Sequence, residues 1–259
     1  VIPLTGHLPS PVDSTIPRVE LAGFMLGAAP QTSGDRDNRA ECPPVTQQIA
    51  NNCCAHALAD SAFSVASHDE RPIPRPSVSA LYAGARQLVA GPGVPLLDQG
   101  SQLRAMFQFA STWGLVAENR FPEVPATTNM TPPDDVYRQG ERSKLLAYYQ
   151  VSTGSGCSDR IRAAVYRGRF PLIALVADDA FANVNAEVWT GPGGAKLGGH
   201  CVFVCGYREN VNGLAVFLFQ NSWGPDFGFD GGFGMISCAA VDHYVYESWV
   251  VEAAPGQVF

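Results

Sequence analysis

A cysteine pair, a histidine and an asparagine occur in that order along this chain, each placed by its neighbours where it has chemical use. Gln47-Gln48-Ile49-Ala50-Asn51-Asn52-Cys53-Cys54 runs straight into Ala55, Leu58, Ala59, Ala62, Phe63 and Ala66 at helical spacing. That pattern predicts a helix with the two cysteines at or just inside its N-terminus. The positive end of the helix dipole stabilises a thiolate, the nucleophilic form of cysteine. Far downstream, Gly198-Gly199-His200 delivers a histidine onto the start of a strand, and the strand through Phe217-Leu218-Phe219-Gln220 ends in Asn221. A thiol beside an imidazole that a third polar group orients is the arrangement for covalent attack on a carbonyl. Alone, a cysteine in such a helix is more often a small buried hydrophobe.

Gly198-Gly199-His200 and Asn221-Ser222-Trp223-Gly224, with the aromatic and glycine-rich segment 227–234 after them, resemble the papain-like cysteine peptidase family, and its bacterial branch most closely. The separation 200 − 53 = 147 lies inside the roughly 130–150 residues between nucleophile and base in that family. The resemblance runs from about Cys42-Pro43-Pro44-Val45 to the last strand. It implies Cys53 as nucleophile, His200 as base and acid, Asn221 as the group orienting the imidazole, and Trp223 as a shield over the histidine–asparagine contact. It further implies a glutamine donor to the oxyanion six residues before the nucleophile, which is Gln47 for Cys53. Gln48 with Cys54 keeps the same spacing. Small Ala55 and Ala57 favour Cys53, whereas Val45, three residues ahead of Gln48, favours the second register. Gly100, Ser101 and Gly199 are the implied contacts to the substrate backbone.

Two departures stand out. Family glycines before the nucleophile are replaced by Gln48, Ile49, Asn51 and Asn52; asparagine tolerates left-handed backbone, and isoleucine does not. Asp98-Gln99-Gly100 repeats a family tripeptide, but no cysteine follows it.

Elements able to position these residues are legible on both sides. Val78, Leu81, Tyr82, Ala85, Leu88 and Val89 mark a second helix with Ser77 as its cap, and Leu103, Met106, Phe107, Ala110 and Trp113 mark a third. Residues 118–145 read as a long surface crossing. Strands follow at 148–151, 171–176, 200–207, 214–220, 233–238 and 244–251, with a short helix capped by Ser158-Asp159. The expected fold is therefore α+β. In papain-like form it has a helical N-terminal lobe over about 42–117, an antiparallel β-rich lobe over about 146–259, and the active-site cleft between them. Residues 1–41 are read as an N-terminal arm packing along the body, an inhibitory propeptide being the functional alternative. Asp35-Arg36-Asp37 resembles a short motif ahead of the core in bacterial relatives, and by itself reads as a solvated turn.

The 259 residues carry a formal net charge of −7 with no lysine or arginine cluster, which argues against nucleic acid as a partner. No apolar run approaches the roughly 18 residues of a membrane span. The chain starts at Val1 without a signal-peptide pattern and reads as processed or trimmed; the compartment stays open, export included. Seven cysteines leave at least one unpaired in any intramolecular pairing, as a catalytic thiol requires. A zinc site around His200, Cys201, Cys205 and Cys238 is disfavoured because neighbouring strand residues point to opposite faces. His7, His56, His68 and His243 form no second constellation in the sequence. No metal or organic cofactor is implied, and the expected partner is a peptide or protein substrate. A papain-like fold used only for binding, and an amidase or acyltransferase with the same thioester intermediate, remain open beside a peptidase.

Overall fold

Alternation along the strands of the second half sorts side chains onto two faces, and the molecule is built around that division. The computed structural model describes residues 4–11, 18–19, 33–145, 147–185 and 187–253. In chain order the elements are β1 (His7–Leu8), β2 (Arg18–Val19), β3 (Arg36–Asp37), α1 (Cys53–His68), α2 (Val78–Ala90), β4 (Ser101–Gln102) and α3 (Leu103–Thr112). They continue with α4 (Asp134–Gly140), β5 (Ala147–Val151), α5 (Cys157–Tyr166), β6 (Leu172–Asp178), α6 (Asp179–Ala182) and β7 (Val188–Trp189). The last are β8 (Lys196–Val211), β9 (Leu214–Gln220), β10 (Phe233–Ser237), α7 (Cys238–Tyr244) and β11 (Glu247–Ala253).

Among the described residues, nine strands form one sheet in the order β2-β5-β11-β6-β8-β9-β10-β7, with β3 added against β8. The pairing is antiparallel except for β2 on β5 and β7 on β10. Leu172, Ala174, Cys201, Phe203, Cys205, Leu218, Trp249 and Val251 point to one face, where they join the core of α1, α2 and α3. Ile173, Leu175, Ala177, Val202, Val204, Phe217, Phe219 and Val250 point to the other, where they meet α5 and α7. This is the period-two division expected of a sheet covered on both sides. Helix α1 lies between α2 and the sheet and is buried almost all round, so its sequence is alanine-rich. Any larger residue at Ala55, Ala59 or Ala62 would displace the sheet from the helices.

The α+β expectation and most element positions agree with the structure; four local readings need correction. The crossing at 118–145 contains helix α4 and short 3-10 turns at Glu118–Arg120 and Pro125–Thr127. Strand β10 ends at Ser237, whose side chain caps α7, so the expected strand at 244–251 begins only at Glu247. Helix α5 starts at Cys157 after Gly156 in a left-handed conformation; Ser158 instead donates to Asp242 through both its N–H and its hydroxyl. Arg36 and Asp37 extend the sheet by pairing with Tyr207 and Gly206, and Asp37 binds Arg39 and Arg208. The apolar patch of the arm lies, from residue 20 on, outside the described residues. Ser77 does cap its helix, accepting from Ala80 N at 3.0 Å.

Candidate active site

Cys53 is the first residue of α1, so its own backbone N–H has no carbonyl within the helix to bond. His200 lies in β8 and Asn221 follows the last residue of β9, so the sheet sets both against the helix end. His200 Nε2 and Asn221 Oδ1 are 2.8 Å apart, and among the described residues His200 Nδ1 has no hydrogen-bond partner. The neighbouring imidazole pulls the Cys53 thiol pKa down. Burial opposes this, as does the adjacent Cys54 thiol, and the net effect raises the Cys53 thiol well above its ordinary value. Trp223 stacks on the His200 ring at 4.4 Å between centroids, and Phe181 meets the same ring edge-on at 5.9 Å. Phe181, which the sequence reading did not single out, and Phe227 of the aromatic, glycine-rich segment wall off the imidazole together with Trp223.

Cys54 points elsewhere. Its Sγ donates to Ser101 O at 3.5 Å and contacts the Cys201 thiol in the interface between helix and sheet. Of the two thiols, Cys53 is the one that His200 acts on.

The two glutamines ahead of Cys53 face opposite ways. Residues 46–48 run antiparallel to 222–224, with Gln47 paired to Trp223 and Gln48 N donating to Ser222 O at 2.7 Å. Neighbours on an extended strand face opposite ways. Gln47 is accordingly exposed, its side chain lying over Gly224, and Gln48 is buried. Gln48 Oε1 accepts from Ser222 Oγ at 2.6 Å and its Nε2 donates to Ala50 O at 2.8 Å. The buried glutamine therefore precedes Cys53 by five residues (53 − 48), one fewer than expected.

Neither asparagine supplies the left-handed turn that their sequence suggests; among the described non-glycine residues only Glu70, Asn212 and Asp230 have positive φ. Carboxylates hold the shortened loop instead. Asp98 accepts from the N–H and the side chain of Asn51. Glu123 accepts from Asn52 Nδ2 at 2.7 Å and Ile49 N at 3.4 Å, and its other oxygen lies 3.0 Å from His56 Nε2. Burial alone would raise the Glu123 carboxyl; His56, the Asn52 amide and the Ile49 N–H outweigh it and bring the group below its ordinary value. His56 Nδ1 in turn meets Thr46 Oγ1 and Arg75.

The residues expected to touch substrate backbone hold the chain's own arm. Gly6 N donates to Gly199 O at 2.9 Å, Gly6 O accepts from Ser101 N at 2.8 Å, and β1 runs parallel to β4. Trp223 Nε1 donates to Leu4 O at 2.7 Å. The fit leaves no room for a Cβ: one built on Gly6 would sit 2.0 Å from Asn51 O, and one on Gly100, whose φ is +93°, 2.3 Å from Gly6 O. Residues 4–7 thus fill the groove between the Gly100-Ser101 wall and Gly198-Gly199, and with them in place Cys53 is fully buried.

His7 and His56, which the sequence leaves as surface or packing residues, are each buried against a carboxylate, Glu247 and Glu123 respectively. Among the described residues no cluster of histidine, cysteine and carboxylate groups is arranged to hold a metal ion. Again among the described residues, no helix is long and apolar enough to cross a membrane.

With this geometry in hand, similarity to known proteins can be placed. The family described as papain family cysteine protease matches residues 95–248, more than half of the chain. An uncharacterized peptidase C1-like protein of Acanthamoeba polyphaga mimivirus is 24% identical over 221 residues, covering 80% of this chain and 69% of that protein. Cathepsin B-like CP2 of Giardia intestinalis is 36% identical over 64 residues, 25% of this chain and 21% of that one. Of solved structures, xylellain, a cysteine protease from Xylella fastidiosa, superposes with a TM-score of 0.79 at 20% identity, covering 97% of both chains. The procathepsin B S9 of Trypanosoma congolense gives 0.74 at 17% identity, covering 99% of this chain and 87% of that one. At such identities the structural likeness establishes the papain-like fold, and the bacterial neighbour agrees with the branch that the motifs resemble. The sequence match over most of the catalytic body establishes the rest: the chain belongs to the papain family of cysteine proteases and is a cysteine peptidase.

Proposed function

We propose that the chain is an endopeptidase whose nucleophile is Cys53, and that its N-terminal arm occupies the cleft in place of substrate. The observation carrying this reading is the row Cys53, His200, Asn221 at the floor of a groove that already binds an extended peptide segment. His200 takes the Cys53 proton, giving a thiolate and an imidazolium. The thiolate attacks the scissile carbonyl. The oxyanion that develops is met by the Cys53 backbone N–H at the helix N-terminus and by the second Nε2 hydrogen of Gln48, the first being held by Ala50 O. His200 then gives its proton to the leaving amine, and a water molecule, deprotonated by the same ring, releases the acyl group from sulfur. Asn221 keeps the ring in plane, and Trp223, stacked on it, keeps water from that contact.

Labelling with E-64, an epoxide that alkylates activated thiols of this family, followed by peptide mapping, tests the reading. Stoichiometric modification of Cys53 that is lost in His200→Ala is the expected result. Modification at Cys54, or labelling indifferent to His200, overturns the assignment; absence of any labelling both of the reduced protein and of Gly6→Ala, whose arm no longer fits the groove, favours a papain-like fold used only to bind peptides.

A further inference from the structure

Glu123, which holds the loop ahead of Cys53, is itself held from the helix that carries the nucleophile. It accepts from Ile49 N and Asn52 Nδ2, whose residues adjoin Gln48 and Cys53, and its two oxygens lie 3.0 and 3.2 Å from His56 Nε2. His56 is the fourth residue of α1 and is 1% exposed. On the other side of the ring, Nδ1 lies 3.2 Å from Thr46 Oγ1 and 3.2 Å from Arg75 Nη2, and the same Nη2 donates to Thr46 Oγ1. Arg75 is fixed in turn by Asp60, one turn further along α1, with Nε donating to Oδ1 at 2.6 Å. A guanidinium can only donate. Nδ1 therefore accepts, so the ring hydrogen sits on Nε2 and points at Glu123.

We propose that His56 is a positioning residue for peptide-bond hydrolysis: acting through Glu123, it sets the place of the loop between Gln48 and Cys53 relative to α1. The two donors assigned to the oxyanion lie on either side of this relation, the Cys53 N–H on the helix and the Gln48 amide at the far end of the loop. Both must reach one oxygen at about 3 Å, so a small shift of loop against helix separates them. The chain of bonds from Asp60 through Arg75 and His56 to Glu123 starts on α1 and ends on the two residues that adjoin those donors. A carboxylate held by Ile49 and Asn52 alone could turn with the loop. One that also faces an imidazole N–H of fixed direction cannot, because Arg75 and Thr46 leave the ring a single donor. Asp98, on the Asn51 side of the same loop, is bonded to no residue of α1, so the reference to the helix comes through His56.

This inference rests on the peptidase reading, and the test separates the two. Two rates are measured on the full-length chain: hydrolysis of fluorescently labelled casein below saturation, which needs the oxyanion donors, and alkylation of Cys53 by iodoacetamide, which needs only the thiolate. Arm occupancy scales both rates alike, so their ratio reports the donors. His56→Leu should lower casein hydrolysis about 10- to 100-fold while alkylation stays within about threefold of the parent. His56→Gln, whose amide offers Glu123 an N–H and Arg75 an oxygen, should come back to within about tenfold. Glu123→Gln should reproduce the loss in the ratio, and adding His56→Leu to it should change the ratio by less than about threefold, since the two residues act as one unit. That double variant leaves no unpaired charge between positions 56 and 123, so it carries the comparison if His56→Leu alone fails to fold. Hydrolysis unchanged in His56→Leu, hydrolysis and alkylation falling together, or losses that multiply in the double variant each overturn the proposal and leave the peptidase reading intact. Casein left uncut by the parent, or alkylation indifferent to His200→Ala, removes the peptidase reading and this inference with it.

Discussion

Asp98 holds Asn51 at three points. Its Oδ1 accepts the Asn51 backbone N–H at 2.9 Å, its Oδ2 accepts from Asn51 Nδ2 at 3.2 Å, and its own carbonyl accepts from the same Nδ2 at 3.0 Å. Tyr82 completes the clamp, donating to Asp98 Oδ1 at 2.7 Å while its hydroxyl accepts from Gly100 N. One carboxylate thus ties the loop ahead of Cys53 to the Gly100-Ser101 wall across the groove. Because the loop lacks glycine turns, its shape depends on these bonds.

Replacing Asp98 by alanine should consequently damage turnover more than binding. Removing the acceptor leaves the Asn51 groups unpartnered, at a cost of about 1–3 kcal/mol in stability. The loop carrying Gln48 would relax, and kcat is expected to fall about 10- to 100-fold with a smaller change in KM. Asp98→Asn, which keeps an oxygen for the Asn51 N–H, should recover part of the loss. Steady-state kinetics beside thermal melts decide the matter; a raised KM with unchanged kcat would show that the clamp shapes the wall rather than the loop.

Glu123 makes the other side of the same loop dependent on pH. Its folded carboxyl lies below the ordinary value of 4.5, with burial raising it and His56, Asn52 and Ile49 together lowering it further. A depressed carboxyl stabilises the fold fully above its unfolded pKa, and that contribution is lost as pH falls through the folded value. The loop should therefore hold from neutrality down to about 4.5 and loosen in more acid solution. Glu123→Gln should lower stability at neutral pH by about 1–3 kcal/mol and flatten the acid limb of the stability profile. Chemical denaturation at a series of pH values measures both; an unchanged acid limb in the variant would assign that limb to other carboxylates.

Which parts of this were legible before the fold was known follows from how local each signal is. Helix α1 and the strand pair carrying His200 and Asn221 were readable because periodicity and motif spacing are properties of contiguous sequence. The course of the loop ahead of Cys53 was not. Ala55 and Ala57 pointed to Cys53 and Val45 pointed to Gln48, which conflicted only under a fixed spacing of six; in the structure each cue matches what lies beside it, because the intervening loop is one residue shorter. Asp98, Glu123, His7 and Glu247 carry no motif. The bonds that tie them to the loop or the arm, Asp98 to Asn51, Glu123 to Asn52 and Glu247 to His7, span 47 residues or more along the chain, so nothing within reach of a sequence window marks them.

Gly6→Ala should switch the arm out of the groove. A Cβ at that residue would lie 2.0 Å from the Asn51 carbonyl oxygen, which belongs to a loop clamped on both sides and cannot yield. Cys53 would then be open to solvent, and relief of burial, the largest cause of its raised pKa, should increase the thiolate fraction at neutral pH. Alkylation of Cys53 by iodoacetamide is expected to rise about tenfold or more, with its pH profile displaced to lower pH and the melting temperature of the body little changed. Equal rates in the two proteins would mean that the arm already leaves the groove freely.

Gln47 and Gln48 offer the sharpest contrast available on adjacent residues. Both lie on the segment paired with Ser222–Gly224, yet one faces solvent over Gly224 and the other is buried with its Oε1 on Ser222 and one Nε2 hydrogen on Ala50. A side-chain donor aimed at a developing oxyanion contributes to the transition state and little to the ground state. Gln48→Ala should accordingly lower kcat about 10²- to 10³-fold with KM nearly constant, while Gln47→Ala stays within about threefold of the parent, as befits an exposed site. Gln48→Glu gives an independent check: it keeps an acceptor for Ser222 but replaces the donor with a carboxylate that repels the oxyanion, so it should be at least as damaging as alanine. If Gln47→Ala instead carried the larger loss, the loop would have to change register when the arm departs, placing the exposed glutamine in the groove.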